Sequence, residues 1–474
     1  KVATGGRVNA YRALANCPAP GEVPGEQPGE GIVLPWDGQG IEGDPYLIED
    51  AEQLIALSVL WDVYLSDVYA ETGQQIYFEL EENITLPNDH IWRPIERFDG
   101  VFNGNGKTIK NLTLNAKNVQ NVGMFGVIDK HGKVTNLTLE NVNVTASVDE
   151  DFKDYASAGA LAGINIGTID HVTVSDGVIH GACLQDEYCS VGGLAGDNNG
   201  SIQNSQVSAD VTGEGYYILV GGLVGYNYQS TIESSSATGI VTAENKHYKN
   251  YKDNLDDYDY DEEVYVGGLV GYSFEDTITA SFATGDVTGV GYLVSVGGLV
   301  GYGAKNSQQD KIDVIDAYAT GNVEGIGYDV SVGGLTGTYW DFSVSKAYAT
   351  GDVIGSGDLV VYAGGLVGFR KNGSIAASYA TGDVTGNGKY VRAGGLAGNS
   401  GYGSIENSYA EGDLEWIATA DEYFNGVGGL VGYSENETIT QSYATGNVSV
   451  SQSVYADMYL GGLVGLAAHP NYTW

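Results

Sequence analysis

The sequence predicts an all-β fold, a parallel β-solenoid of about 11–12 coils with a small N-terminal helical cap and an extended N-terminal arm. Three observations predict it. The first is a glycine-rich core, Gly297-Gly298-Leu299-Val300-Gly301, which returns with small variations from Gly159, Gly192, Gly221, Gly267, Gly333, Gly364, Gly394, Gly428 and Gly461, with a shortened form at Gly123 to Gly126. Successive copies stand 29 to 36 residues apart, except for one interval of 46 between Gly221 and Gly267. A fixed period of that size means a repeat that buries its apolar face only against its neighbours.

The second observation is a segment that follows each copy and reads Ile-x-x-small-x-Ala-x-Gly-x-Val. Ser281, Ala283, Gly285 and Val287 alternate with Phe282, Thr284, Asp286 and Thr288, which predicts a strand with small residues facing a narrow interior. The third is repeat length. A propeller blade needs four strands in about 40 residues, whereas this repeat supplies two clear strands and short connectors in about 30. At about 4.8 Å per coil the stack would be a rod about 55 Å long.

Between strands the chain repeatedly shows Gly-x-Gly, as at Gly289/Gly291, Gly325/Gly327 and Gly355/Gly357. No third glycine and no helical pattern follow them, so a phosphate loop is excluded; the expectation is a bend that needs positive φ.

These repeats resemble the GLUG motif of secreted and surface-attached bacterial proteins, among them adhesin-like chains and large extracellular peptidases. The resemblance covers about Asp99 to Gly465. It implies a structural and adhesive module without catalytic residues of its own.

The elements in chain order fit this scheme. Residues 1–17, KVATGGRVNAYRALANC, resemble the closing helix of a subtilisin-like protease domain between Gly5 and Leu14, although that family's catalytic Asp, His and Ser motifs are absent. The chain starts with Lys1 rather than Met, so an export signal is expected to have been removed. Residues 18–38 are rich in Pro, Gly and Glu and form a linker or arm, because such a stretch cannot build a core. Residues 39–97 supply the cap and first strands. Asp50 is placed to N-cap a short helix whose apolar stripe is Leu54, Leu57 and Val59 or Leu60. Such a cap hides the first coil and blocks edge pairing. Residues 98–474 are the repeat solenoid.

The interval of 46 holds an acidic insertion, Glu244 to Glu263. Asp257, Asp259 and Asp261 have the alternate spacing that opens an EF-hand loop, but Glu262 stands where its Gly should be and Gly268 where its closing Glu should be. What remains is a looser calcium site on those three residues, beside the plainer reading of a solvated loop. Calcium is the sole cofactor considered. Cys183 and Cys189 enclose five residues and are expected to form a local disulfide, which leaves Cys17 over.

A formal charge of −40 on 474 residues argues against nucleic acid and anionic membrane as partners. No run of eighteen apolar residues exists, so no membrane insertion is expected. The six histidines are scattered, and no nucleophile elbow or metal triad occurs, so no catalytic residue is assigned. Phe282, Tyr318, Tyr348, Tyr379, Tyr409 and Tyr443 share one outward repeat position and should stack as a surface ladder. The expected function is a non-catalytic extracellular structural protein that associates head to tail with itself. A surface adhesin for glycans or cells, and the non-catalytic tail of a secreted protease, are the alternatives.

Overall fold

Each glycine of the Gly-Gly-Leu-Val-Gly core sits where a side chain would strike backbone, and the reason for the motif lies there. A Cβ on Gly298 would meet the Gly334 carbonyl of the next coil, and one on Gly301 would lie 2.6 Å from the Val266 nitrogen of the previous coil. The chain therefore turns a corner so tightly stacked that glycine fills most of these positions, with Ala160 in one copy. The leucine inside the corner points into the core: Leu194, Leu223, Leu269, Leu299, Leu335, Leu366, Leu396 and Leu430 are all 0% exposed. Their backbones form a hydrogen-bonded column, with Leu299 N donating to Leu335 O at 2.8 Å and Leu335 N to Leu366 O at 2.9 Å.

The computed structural model describes residues 34–149, 154–183, 188–246, 248, 262–305, 312–418, 425–452 and 458–468. Among these residues 49 strands join in one continuous sheet of parallel ladders. About twelve turns wind into a parallel β-solenoid. Register places like on like: Val287, Val323, Val353, Val384, Leu414 and Val448 form one column. Ile278, Val314, Val344, Ile375, Ile405 and Ile439 form another. Inward aliphatic residues of these columns thus meet similar residues above and below, which is how a narrow interior reaches native packing density.

One coil shows the path. The strand Val323–Gly333 ends at the glycine corner, Thr336–Ser345 follows, Lys346 turns a second corner, Tyr348–Ala349 makes a short strand, and a bend leads to Val353–Gly364. The segment read from sequence as one alternating strand is therefore two, parted at the bend around Gly285 in its coil: Phe282–Ala283 and Val287–Gly297.

The Gly-x-Gly pairs are not bends. Gly289 and Gly291 lie inside Val287–Gly297, and Gly325 and Gly327 inside Val323–Gly333. None has φ in the left-handed region. Their role is steric. A Cβ on Gly289 would lie 2.6 Å from Val296 Cγ2, and one on Gly325 would lie 2.7 Å from Val330 Cγ1. The strand folds back on its own valines, and glycine leaves the room they fill.

The left-handed corner carries other residues. Ala280, Asp316, Lys346, Ala377, Asn407 and Gln441 have φ between 49° and 53°. Each turn is held by its neighbour, as where Ala377 N donates to Glu406 O at 3.0 Å. Beside this corner a buried serine column completes the bonding. Ser378 Oγ donates to Ala376 O at 2.8 Å and accepts from Ala347 N at 3.2 Å, and Ser378 N donates to Ser408 Oγ at 3.2 Å. Ser205, Ser235, Ser281, Ser408 and Ser442 repeat the arrangement. At Ala317 and Ala347 the column lacks its hydroxyl.

At the N-terminal end, Tyr46–Ile48 pairs with Tyr77–Leu80, which pairs with Val101–Lys110. The helix α1 (Ala51–Leu60) is inserted between the first two strands, and the Asp50 carboxylate accepts from Gln53 N at 2.9 Å as its N-cap. Leu54, Leu57 and Leu60 are buried, so the stripe runs through Leu60 rather than Val59. The helix continues beyond the expected length through a π-helical turn, Trp61–Leu65, to α2 (Ser66–Thr72). Trp61 explains the extension: its indole packs 4.5 Å from the Phe98 ring and donates to Arg97 O at 2.6 Å.

Candidate functional site

The outward ladder forms as stacked rings. Phe282 and Tyr318 lie 4.8 Å apart at 1°, Tyr318 and Tyr348 4.8 Å at 2°, and Tyr348 and Tyr379 5.0 Å at 4°. Tyr379 and Tyr409 follow at 4.9 Å and 3°, then Tyr409 and Tyr443 at 5.2 Å and 4°. Strand spacing alone sets these distances. Each inner ring has both faces covered by its neighbours, so the column offers solvent its edges.

Cys183 and Cys189 are joined as a disulfide, with Cα atoms 6.3 Å apart, between the end of Thr168–Cys183 and the start of Cys189–Gly192. Asp257, Asp259, Asp261 and Cys17 lie outside the described residues. Among the described residues no group of three or more His, Cys, Asp or Glu side chains could hold a metal ion.

Two polar features inside the solenoid were not legible from spacing. Asn165 Nδ2 donates to Asn198 Oδ1 at 2.7 Å and Asn198 Nδ2 to Asn227 Oδ1 at 2.7 Å, while Asn227 Nδ2 bonds Asp276. Ser273 Oγ donates to the same carboxylate at 2.6 Å. Full burial raises the Asp276 pKa to about 7 despite these bonds. Farther along, the guanidinium of Arg370 is buried beside Glu437, donates to Gly373 O at 2.8 Å and to Ser400 Oγ at 2.6 Å, and has its pKa lowered by burial to about 10. It stays charged at neutral pH.

A third feature is a cleft of about 270 Å³ on one face of the stack. Two aromatic columns run past it. Tyr272, Tyr302, Thr338 and Phe369 align in the first, and Tyr265, Ser295, Ser331, Tyr362 and Arg392 in the second. The aromatic series breaks at Thr338, Ser295 and Ser331, and the cleft fills the break. Tyr265 and Tyr302, stacked at 4.7 Å, form one wall; Tyr362 and Phe369, 5.4 Å apart, form the other with Trp340. Glu263 and Asp329 stand at the partly exposed rim. The available signal was the residue after the last glycine of each core, aromatic at Tyr226, Tyr272, Tyr302, Phe369 and Tyr433 but not at Ile164, Asp197, Thr338, Asn399 or Leu466.

The family profile described as "Glug: The GLUG motif" matches residues 216–242, 263–288, 390–415 and 425–449. A protein of Evansella cellulosilytica named "Putative Gly-rich membrane protein" is 39% identical over 199 residues, 40% of this chain and 21% of that protein. "Halomucin" of Haloquadratum walsbyi is 31% identical over 145 residues, 29% of this chain and 1% of that protein. The chain thus spans about a fifth of the one relative and about a hundredth of the other. A crystal structure described as a "putative immunoglobulin A1 protease" from Bacteroides ovatus aligns over 87% of this chain and 86% of that chain at 17% identity, with a TM-score of 0.30. No helix among the described residues is long and apolar enough to cross a membrane. The GLUG motif thus matches four separate coils of one continuous parallel β-solenoid.

Proposed function

We propose that the chain is a non-catalytic structural rod of an extracellular or cell-surface protein, and that its coils are continued by a second copy to give a filament. The place outside the cell is supported by the Cys183–Cys189 disulfide, by the −40 formal charge and by what the relatives are named.

One observation carries the self-association. The coil made of Thr438–Thr440, Tyr443–Ala444, Val448–Gln452, Met458–Gly461 and Val464–Ala468 is paired on one side only among the described residues. Tyr443 and Leu460, half exposed, and Leu463 lie on it, although Val427 and Leu430, the counterparts of Leu460 and Leu463 in the coil before, are fully buried. Unpaired parallel strands over exposed leucines are a template for another strand set. The other end is occupied: Trp36 is buried there, and Leu47 N donates to Asp37 O at 2.9 Å outside the first strand. An extended segment of a second copy therefore suits the open edge better than blunt docking of two rods, and residues 1–34 are the candidate.

Glycan binding by the ring ladder draws less support, because a sugar stacks on an open ring face and the inner faces are covered. The protease-tail reading rests on residues 1–17, outside the described residues. Light scattering on the intact chain and on a form lacking residues 1–34 tests the proposal. Mass should grow with concentration for the intact chain and stay near that of one copy without the arm. An intact chain that remains monomeric, or a truncated one that assembles equally well, counts against it.

A further inference from the structure

We propose that the break in the aromatic columns is a binding site for an alkylated ammonium group. The case begins with what the same face already holds. In the second column the place after Tyr362 belongs to Arg392, whose guanidinium lies 3.5 Å from the Tyr433 ring centroid, 4.9 Å from that of Tyr390 and 5.7 Å from that of Tyr362. Lys371 sits 5.1 Å over Trp340. Where the chain supplies a cation, the rings of this face take it. At Ser295 and Ser331 the same column supplies none, and the space stays open.

The dimensions suit a rounded cation. Tyr302 and Phe369 are separated by one non-aromatic rung, Thr338, hence by two strand spacings, roughly 9.6 Å. That gap is too wide for one flat ring in contact with both walls. A cation midway would be roughly 4.8 Å from each ring, inside the roughly 6 Å over which aromatic faces attract positive charge.

The polar groups point the same way. The cleft is lined by two carboxylates and by no Lys, Arg or His. Asp329 Oδ1 is buried and accepts no hydrogen bond among the described residues. The serine hydroxyls are engaged elsewhere: Ser295 Oγ with Gly301 O and Thr338 at 2.8 Å, and Ser331 Oγ with Gly337 O at 2.9 Å. Tyr265 donates to Glu263, and the Tyr362 oxygen accepts from Asn399. An alkylated ammonium needs only rings and negative charge.

Calorimetric titration of the full chain, with Trp340 fluorescence as a second readout, tests this. The probes are tetramethylammonium chloride, sodium chloride at equal ionic strength, tert-butanol as an uncharged body of similar shape, and methyl glucoside. Saturable binding is expected for tetramethylammonium alone. Asp329→Asn should weaken it at least about tenfold, since it removes a negative charge that faces the cation. Ser331→Arg should abolish it by placing a side chain in the gap as Arg392 does, with circular dichroism unchanged. Equal binding of tert-butanol, binding of the glucoside instead, absence of saturable binding, or indifference to Asp329→Asn would each overturn the proposal.

Discussion

Single residues in this chain do the reverse of what their type suggests. Gly325 has ordinary extended backbone and is required for space, whereas Ala377 holds φ of 50° and occupies a glycine's conformation. Gly325→Ala should therefore destabilise by about 1–3 kcal/mol through overpacking against Val330. Ala377→Gly should be neutral or stabilising by up to about 1 kcal/mol, because the left-handed penalty falls away. Urea denaturation of the two variants checks the pair, and the opposite order would contradict the steric reading. The sequence made the repeat legible through these glycines but not their role, since composition cannot separate a glycine needed for φ from one needed for room. Asp276 gives a second test. With a folded pKa of about 7 against an ordinary 3.8, the folded state keeps a proton that the unfolded chain releases above about pH 4. Its contribution is therefore full below about pH 4 and declines as pH rises to about 7. Asp276→Asn keeps the shape without the titration. It should flatten that part of the profile and raise the unfolding midpoint at about pH 8 more than at about pH 5; an equal shift at both would contradict the burial argument.

Elements here are columns more than strands, since a single strand of two to five residues has no stability of its own. The serine column beside the left-handed corner shows how neighbours share the work. Ser378→Ala removes a hydrogen-bond acceptor from Ala347 N and should lower stability by about 1–2 kcal/mol. Ala347→Ser supplies the hydroxyl missing at its rung and should be neutral or stabilising by about 1 kcal/mol. Thermal melts of both variants test the column, and equal losses would show that these positions respond only to size. The apolar columns and the Tyr ladder could be read in advance because they follow the repeat register. The cleft could not. It arises where three residues depart from the pattern at once, and Ser295, Ser331 and Thr338 look like ordinary variation until register brings their absences together. The Asn165–Asn198–Asn227 column was hidden for a related reason: polar residues 29 and 33 apart look like loop composition until stacking puts them in the interior.

The whole molecule is a one-dimensional stack in which every coil is stabilised by the coils on either side. A helix, Trp36 and an antiparallel contact cover the first coil, and the coil of Val448–Gln452 has a strand partner on one side only among the described residues. The proposed end-to-end association would keep the sides of like-charged rods apart. The most direct measurement is analytical ultracentrifugation of the intact chain beside Leu463→Lys, which places a charge on the exposed coil far from the cap. The account expects the intact chain to sediment as a concentration-dependent series of elongated multimers and Leu463→Lys to sediment as a single elongated monomer. A single monomeric species for the intact chain, or an unchanged series for the variant, would contradict it.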